Sequence, residues 1–196
     1  MRSLGFTFVL ALLATLVCGL AAWQWQGGNF DSLLGAAPTP VGQRLYPDFK
    51  PADVKHIQVR NNGVTANFHL SPEGWQASTP WPDRMDPRAA VNIINFTLGM
   101  RVEDLAEIDE LDPPALGLGD TSINIRLENE NKETLARYKI GRLSPWLATL
   151  EDIEKPVPTV FIQPQDSHRK NHIYTCTGDI SPLFKDGLKY LRDHRP

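Results

Sequence analysis

The stretch Val54–Leu70 reads VKHIQVRNNGVTANFHL and decides the fold. Two apolar–polar alternations flank Asn62-Gly63. Asn-Gly is the strongest two-residue hairpin signal, because both turn positions need positive φ. With that turn, Asn61 pairs with Val64, Val59 with Ala66 and Ile57 with Phe68. The apolar side chains of both strands then share one face, and a slip of one residue mixes the faces. The same register sets His56 opposite His69 on the other, wetter face.

Working outward from this hairpin, Gly74–Ser78 reads as a third strand with Trp75 and Ala77 inward. Asp86-Pro87 opens a helix, since Asp caps free N–H groups and Pro suits the first turn. Its apolar positions are Ala90, Val91, Ile94, Phe96, Leu98 and Val102, with Gly99 as an early stop and Arg101–Ala106 as an edge strand. The connector Asp112–Asp120, DPPALGLGD, is rich in turn residues. Ser122–Asn129 and Thr134–Ile140 alternate and pair around a four-residue loop, which sets Arg126 opposite Arg137. Thr159–Gln163 and His172–Cys176 form a last strand pair. Ser181-Pro182 starts a terminal helix with Leu183, Phe184, Leu188 and Leu191 on one side. The expected fold class is α+β, a mostly antiparallel β-sheet domain with two main helices, because hairpin connections dominate.

Ahead of this domain, Leu4–Ala22 carries no charge over nineteen residues. That is about what a helix needs to cross a hydrocarbon core of ~30 Å. Trp23 and Trp25 follow it, and tryptophan favours the membrane–water interface. The reading preferred is an N-terminal transmembrane helix, a signal-anchor over residues 1–25. A cleaved signal peptide with Gly19–Ala22 as its cleavage region is the alternative. Residues 26–45 read as a linker and 46–196 as an extracytoplasmic domain. Arg2 and the amino terminus place the start in the cytoplasm. Membrane lipid around Leu4–Ala22 is therefore one expected partner. Gly5, Ala11, Ala14 and Gly19 are small residues that permit close approach of a partner helix.

The chain has 196 residues and a net charge of −3, with no basic stripe, so nucleic acid is not an expected partner. Of the two cysteines, Cys18 lies in the apolar run and Cys176 near the far end, which leaves the outer domain without an internal disulfide. No GxSxG, Walker motif, HExxH, CxxC pair or dinucleotide fingerprint is present. No cofactor and no catalytic residue are expected on these grounds.

The segment from Tyr46 to Arg195 resembles a domain-of-unknown-function family of membrane-anchored bacterial proteins. The resemblance rests on Asp53-Val54 leading into Ile57-Gln58-Val59, Gly74-Trp75 after a hairpin and the Asp86 helix. It continues through Leu116-Gly117-Leu118, Ile140-Gly141, Ile173-Tyr174 and the closing Leu191-Arg192-Asp193. Members are often encoded beside ABC transporters of the gliding-motility type, and many carry the unit in tandem where this chain has one copy. The family has no established catalytic residues to carry over. The resemblance implies a bacterial inner-membrane location, a periplasmic domain and a transporter as company.

Four groups are candidates for chemistry or contact. His56 and His69 face each other and are metal candidates or a pH switch, but zinc wants three or four protein ligands and no third is nominated. His168, His172 and Cys176 are spaced by four, yet lie on a loop running into a strand, where a helical metal face fails. Glu103, Asp104, Glu107, Asp109, Glu110 and Asp112 read as a solvated acidic face, or as neighbours of the Arg126–Arg137 pair. Trp81 and Trp146 stand beside prolines in loops and read as interface anchors or as lids over the core edge. The function expected is a non-catalytic interaction or scaffold subunit of an inner-membrane complex, accessory to an ABC-type transporter. The alternatives are a metal-dependent binder or enzyme at the His56/His69 face, and an accessory subunit of another membrane assembly.

Overall fold

A computed structural model describes residues 38–79, 82–150 and 155–193. Leu4–Ala22, with Gly5, Ala11, Ala14 and Gly19, lies outside the described residues, as do Trp23, Trp25 and Trp81. No helix among the described residues is long and apolar enough to cross a membrane.

Among the described residues nine strands form one sheet: β1 (His56–Asn61), β2 (Val64–Ser71), β3 (Gly74–Thr79), β4 (Asp83–Arg84), β5 (Val102–Glu107), β6 (Ile123–Glu128), β7 (Thr134–Ala148), β8 (Val157–Pro164) and β9 (His172–Thr177). Their order is β4-β3-β2-β1-β6-β7-β8-β9-β5, and every pairing is antiparallel. The β1–β2 hairpin has the register its turn dictates, with Ile57 opposite Phe68 and His56 opposite His69. Asn62 and Gly63 both take positive φ, 49° and 79°. Arg126 faces Arg137 as expected, and the repulsion is relieved by Glu128, 2.7 Å from the Arg126 guanidinium. The acidic run sits on and after β5, at the far edge of the sheet from β6.

Among the described residues one α-helix, α1 (Pro87–Gly99), covers the core face. Asp86 caps it by accepting from the Arg88 N–H at 2.8 Å. Its buried face is Ala89, Ala90, Ile93, Ile94 and Thr97, whereas Val91 is half exposed. The core joins these residues to Ile57, Val59, Phe68, Ile125, Leu127, Tyr138, Ile162 and Tyr174 of the sheet.

The second main helix is not formed. The terminal segment makes two separate 3-10 turns, Ser181–Phe184 and Lys189–Leu191. Gly187 between them adopts φ of +72°, a left-handed conformation that ends a helix. Phe184, Leu188 and Leu191 are nevertheless buried, so the apolar pattern is satisfied without a continuous helix. The tail is then tied to β4: Asp193 N–H donates to the Arg84 carbonyl, and Arg192 pairs with Asp83.

The other face of the sheet is covered at β8 and β9 by the connector that precedes β6. Leu118, Phe161 and Ile173 form a small second core with Ile108 and Leu116 packed against it. This explains why β8, VPTVFIQP, carries the apolar run Val160-Phe161-Ile162 rather than an alternation: it is buried on both faces.

Candidate interaction surface and polar cavity

β7 does not stop at Ile140, where sequence alternation ends. It continues through Ser144-Pro145-Trp146 to Ala148 by two register shifts against β8. The expected loop around Trp146 is therefore strand. Proline is tolerated there because bulges remove the ladder bond it cannot make. The backbone is held by the Thr159 hydroxyl of β8, which donates to the Trp146 carbonyl at 2.6 Å, and locally by the Trp146 N–H, which donates to Ser144 Oγ at 3.2 Å. The side chains are not covered: Leu143 is 41%, Trp146 65% and Leu147 63% exposed. Leu143 lies opposite Val160 and Leu147 opposite Pro158, so the two leucines share one face. A ring that exposed is not a lid over the core edge. Leu143 and Leu147 were not singled out from the sequence, because RLSPWLA has no clean period to show that its apolar residues face solvent.

The wet face of the hairpin holds a polar cavity of about 330 Å³, lined by His56, Gln58, Asn67, His69, Glu128 and Lys132 among others. His56 and His69 are brought directly together. The Leu70 N–H bonds to the Lys55 carbonyl, which makes the next pair, His56 and His69, a non-hydrogen-bonded one. In such pairs the side chains approach most closely. On the other side of His56, β6 places Glu128, a neighbour that local sequence does not reveal. Glu128 is engaged by Arg126. In the adjacent row, Gln58 Nε2 donates to Asn67 Oδ1 and Asn67 Nδ2 donates to Thr79 Oγ1, both at 2.7 Å, a continuous polar chain across β1, β2 and β3. Neither imidazole, nor the Lys132 ammonium, has a hydrogen bond or ion pair with a described residue. Among the described residues, no group of three or more His, Cys, Asp or Glu side chains is arranged to hold a metal ion.

His168, His172 and Cys176 do not converge. His168 sits in a turn, and His172 and Cys176 lie at opposite ends of β9. Cys176 is fully buried, and burial, helped by Glu103, pushes its thiol well above the ordinary value, so it is a core residue rather than a nucleophile.

A further cluster fixes the chain where it enters the domain. Residues 39–45 fall in the stretch read as linker, yet they are bonded to the sheet. The Gly42 N–H donates to the Val102 carbonyl at 2.7 Å, and the Thr39 N–H donates to Tyr174 Oη at 3.2 Å. Arg169 is the hub. It donates to the Leu45 carbonyl, pairs with Asp166 at 2.9 Å and lies 4.6 Å over the Tyr46 ring. Burial disfavours its cation, but the bond to Asp166 and the nearby charges outweigh that and hold its pKa above the ordinary value. The Tyr46 hydroxyl donates to the Arg137 carbonyl at 2.9 Å, and burial raises the tyrosine pKa well above ordinary.

Comparison of the chain with known protein families, curated proteins and solved structures returns no match.

Proposed function

We propose that this chain is a membrane-anchored, outward-facing interaction module with no catalytic role, serving as a subunit of an inner-membrane complex. The observation that carries this reading is the exposure of three large apolar side chains, Leu143, Trp146 and Leu147, on one hydrogen-bonded strand. Tryptophan on a fixed backbone is the typical anchor of a protein interface, giving large contact area at small entropic cost. The location rests on the uncharged run Leu4–Ala22 and the flanking Trp23 and Trp25. The transporter partner rests on the family resemblance alone.

Affinity purification of the full-length chain in mild detergent tests this, with a W146A/L147S variant alongside. A membrane-protein partner in stoichiometric amount with the wild type, lost with the variant, is the expected result. An ABC-type transporter in that band supports the resemblance, and a different membrane assembly replaces it. A wild-type chain that elutes alone overturns the module reading.

A further inference from the structure

The cavity on the hairpin's wet face has a chemistry distinct from the exposed apolar residues of β7. Its polar groups stand on four adjacent strands, β3, β2, β1 and β6, and on the loop after β6, so their spacing is set by the sheet. The negative charge in the row, Glu128, is neutralised by Arg126 at 2.7 Å. What remains without a partner among the described residues is two facing imidazoles and one ammonium. The Gln58–Asn67–Thr79 chain adds oriented polarity. Each amide nitrogen uses one hydrogen within the chain and retains a second, and the Thr79 hydroxyl accepts from Asn67, which leaves its own hydrogen to give.

We propose that this cavity binds a phosphate group, held by His56, His69 and Lys132 with Gln58 and Thr79 as neutral donors. A divalent cation is the poorer fit. It needs three or four anionic or neutral ligands, whereas Lys132 repels it and Glu128 is already paired. An oxyanion needs convergent donors, and hydrogen bonds between a charged acceptor and N–H donors are about twice as strong as neutral ones. The cavity, about 330 Å³ and partly open, has room for a phosphate with a substituent pointing outward.

The test follows thermal unfolding of the full chain in a neutral detergent and phosphate-free buffer at constant ionic strength. Inorganic phosphate is raised in one series and zinc chloride in another. The wild-type Tm is expected to climb with the logarithm of phosphate concentration once the site saturates. The H56Q/H69Q variant is expected to need about tenfold or more phosphate for the same rise, and K132Q to shift in the same direction. The ligand-free Tm of each variant checks the fold, and if the double variant does not fold, H69Q and K132Q carry the comparison. A wild-type Tm indifferent to phosphate overturns the proposal. So does a double variant that responds like the wild type, or a response to zinc in place of phosphate. Nanodiscs containing phosphatidylglycerol, set against phosphatidylcholine, identify the source. Competition with inorganic phosphate assigns the site to a lipid headgroup, and its absence assigns it to a soluble phosphate. Both results support phosphate recognition.

Discussion

The Leu116 carbonyl oxygen occupies the space that a side chain on Gly141 would need. The Arg142 N–H donates to that same carbonyl at 2.8 Å, so the connector before β6 is buttoned onto β7 at the one place where β7 lacks a Cβ. Gly117, in the same contact, has φ of +77° and no room for a Cβ against the Arg142 nitrogen. Leu116-Gly117-Leu118 and Ile140-Gly141 are separate motifs in the sequence and one contact in the fold.

Gly141→Ala is expected to push the connector off the sheet. Overpacking of this kind costs about 1–3 kcal/mol. For a protein of this size that lowers Tm by about 2–12 °C. The measurement is thermal unfolding of the variant, with near-wild-type stability as the contrary result. Gly99→Ala is the control, because nothing lies within 4 Å of a Cβ there and its φ is not positive.

Arg169 is expected to hold residues 39–46 against the sheet. Arg169→Leu removes the ion pair to Asp166, the bond to the Leu45 carbonyl and the stack on Tyr46. Hydrogen bonds to charged groups are worth about 1.5–3 kcal/mol each where the partner is left unpaired, so a total loss of roughly 2–4 kcal/mol is expected. Arg169→Lys keeps the charge without the planar fork, and is expected to recover only part of it. Amide exchange is the direct readout: residues 39–46 exchange faster in the leucine variant while β1 and β2 do not. Uniform acceleration across the domain would show that Arg169 is not a local clamp.

Much of this arrangement was legible from local signals. Asn62-Gly63 fixes the first hairpin and so brings His56 to His69. Asp86-Pro87 marks the start of α1. What escaped depends on partners remote in sequence. β1 pairs with β6, which is how Glu128 reaches His56, and hairpin logic cannot supply that neighbour because the connection is not a hairpin. Arg169 and Leu45 meet across 124 residues, with no periodic signal at either position. The terminal helix failed for a different reason. Leu183, Phe184, Leu188 and Leu191 do fit a helical spacing, but two 3-10 turns joined through Gly187 bury Phe184, Leu188 and Leu191 equally well.

Stability is expected to fall at alkaline pH. Burial holds the Cys176 thiol above its ordinary value of 9.0, and burial likewise holds Tyr46, Tyr138 and Tyr174 above 10.0. In each case the folded chain keeps its proton to higher pH than the unfolded chain. Their contribution is therefore complete below the ordinary values and is lost progressively as pH rises from 9 for the cysteine, and from 10 for the tyrosines, up through the raised folded-state values. Each such group adds a slope of about 1.4 kcal/mol per pH unit. Urea unfolding from pH 8 to pH 11 measures it, and Cys176→Ala should remove the component that begins near pH 9. A flat profile up to pH 11 contradicts the assignment.

The last expectation concerns the bond between α1 and the sheet. Thr97 and Tyr138 are both fully buried, with their oxygens 2.7 Å apart. The Thr97 hydroxyl donates to the Ile93 carbonyl at 2.8 Å, so its hydrogen is engaged, and Tyr138 must be the donor in the pair. The two partners are therefore not equivalent. Thr97→Val keeps the shape but leaves the Tyr138 hydroxyl buried with nothing to accept from it, a loss of about 1–3 kcal/mol. Tyr138→Phe leaves Thr97 its bond to Ile93 and removes only an accepted one, so it costs less, about 0.5–1.5 kcal/mol. With both changes no donor is stranded, and the double variant is expected to lose less than the sum of the two. Thr97→Ser retains the hydroxyl and loses one methyl, about 1 kcal/mol. Urea unfolding of the four variants gives the coupling energy directly. Strict additivity would mean that helix and sheet are held by apolar packing alone, and that the polar pair adds nothing to their union.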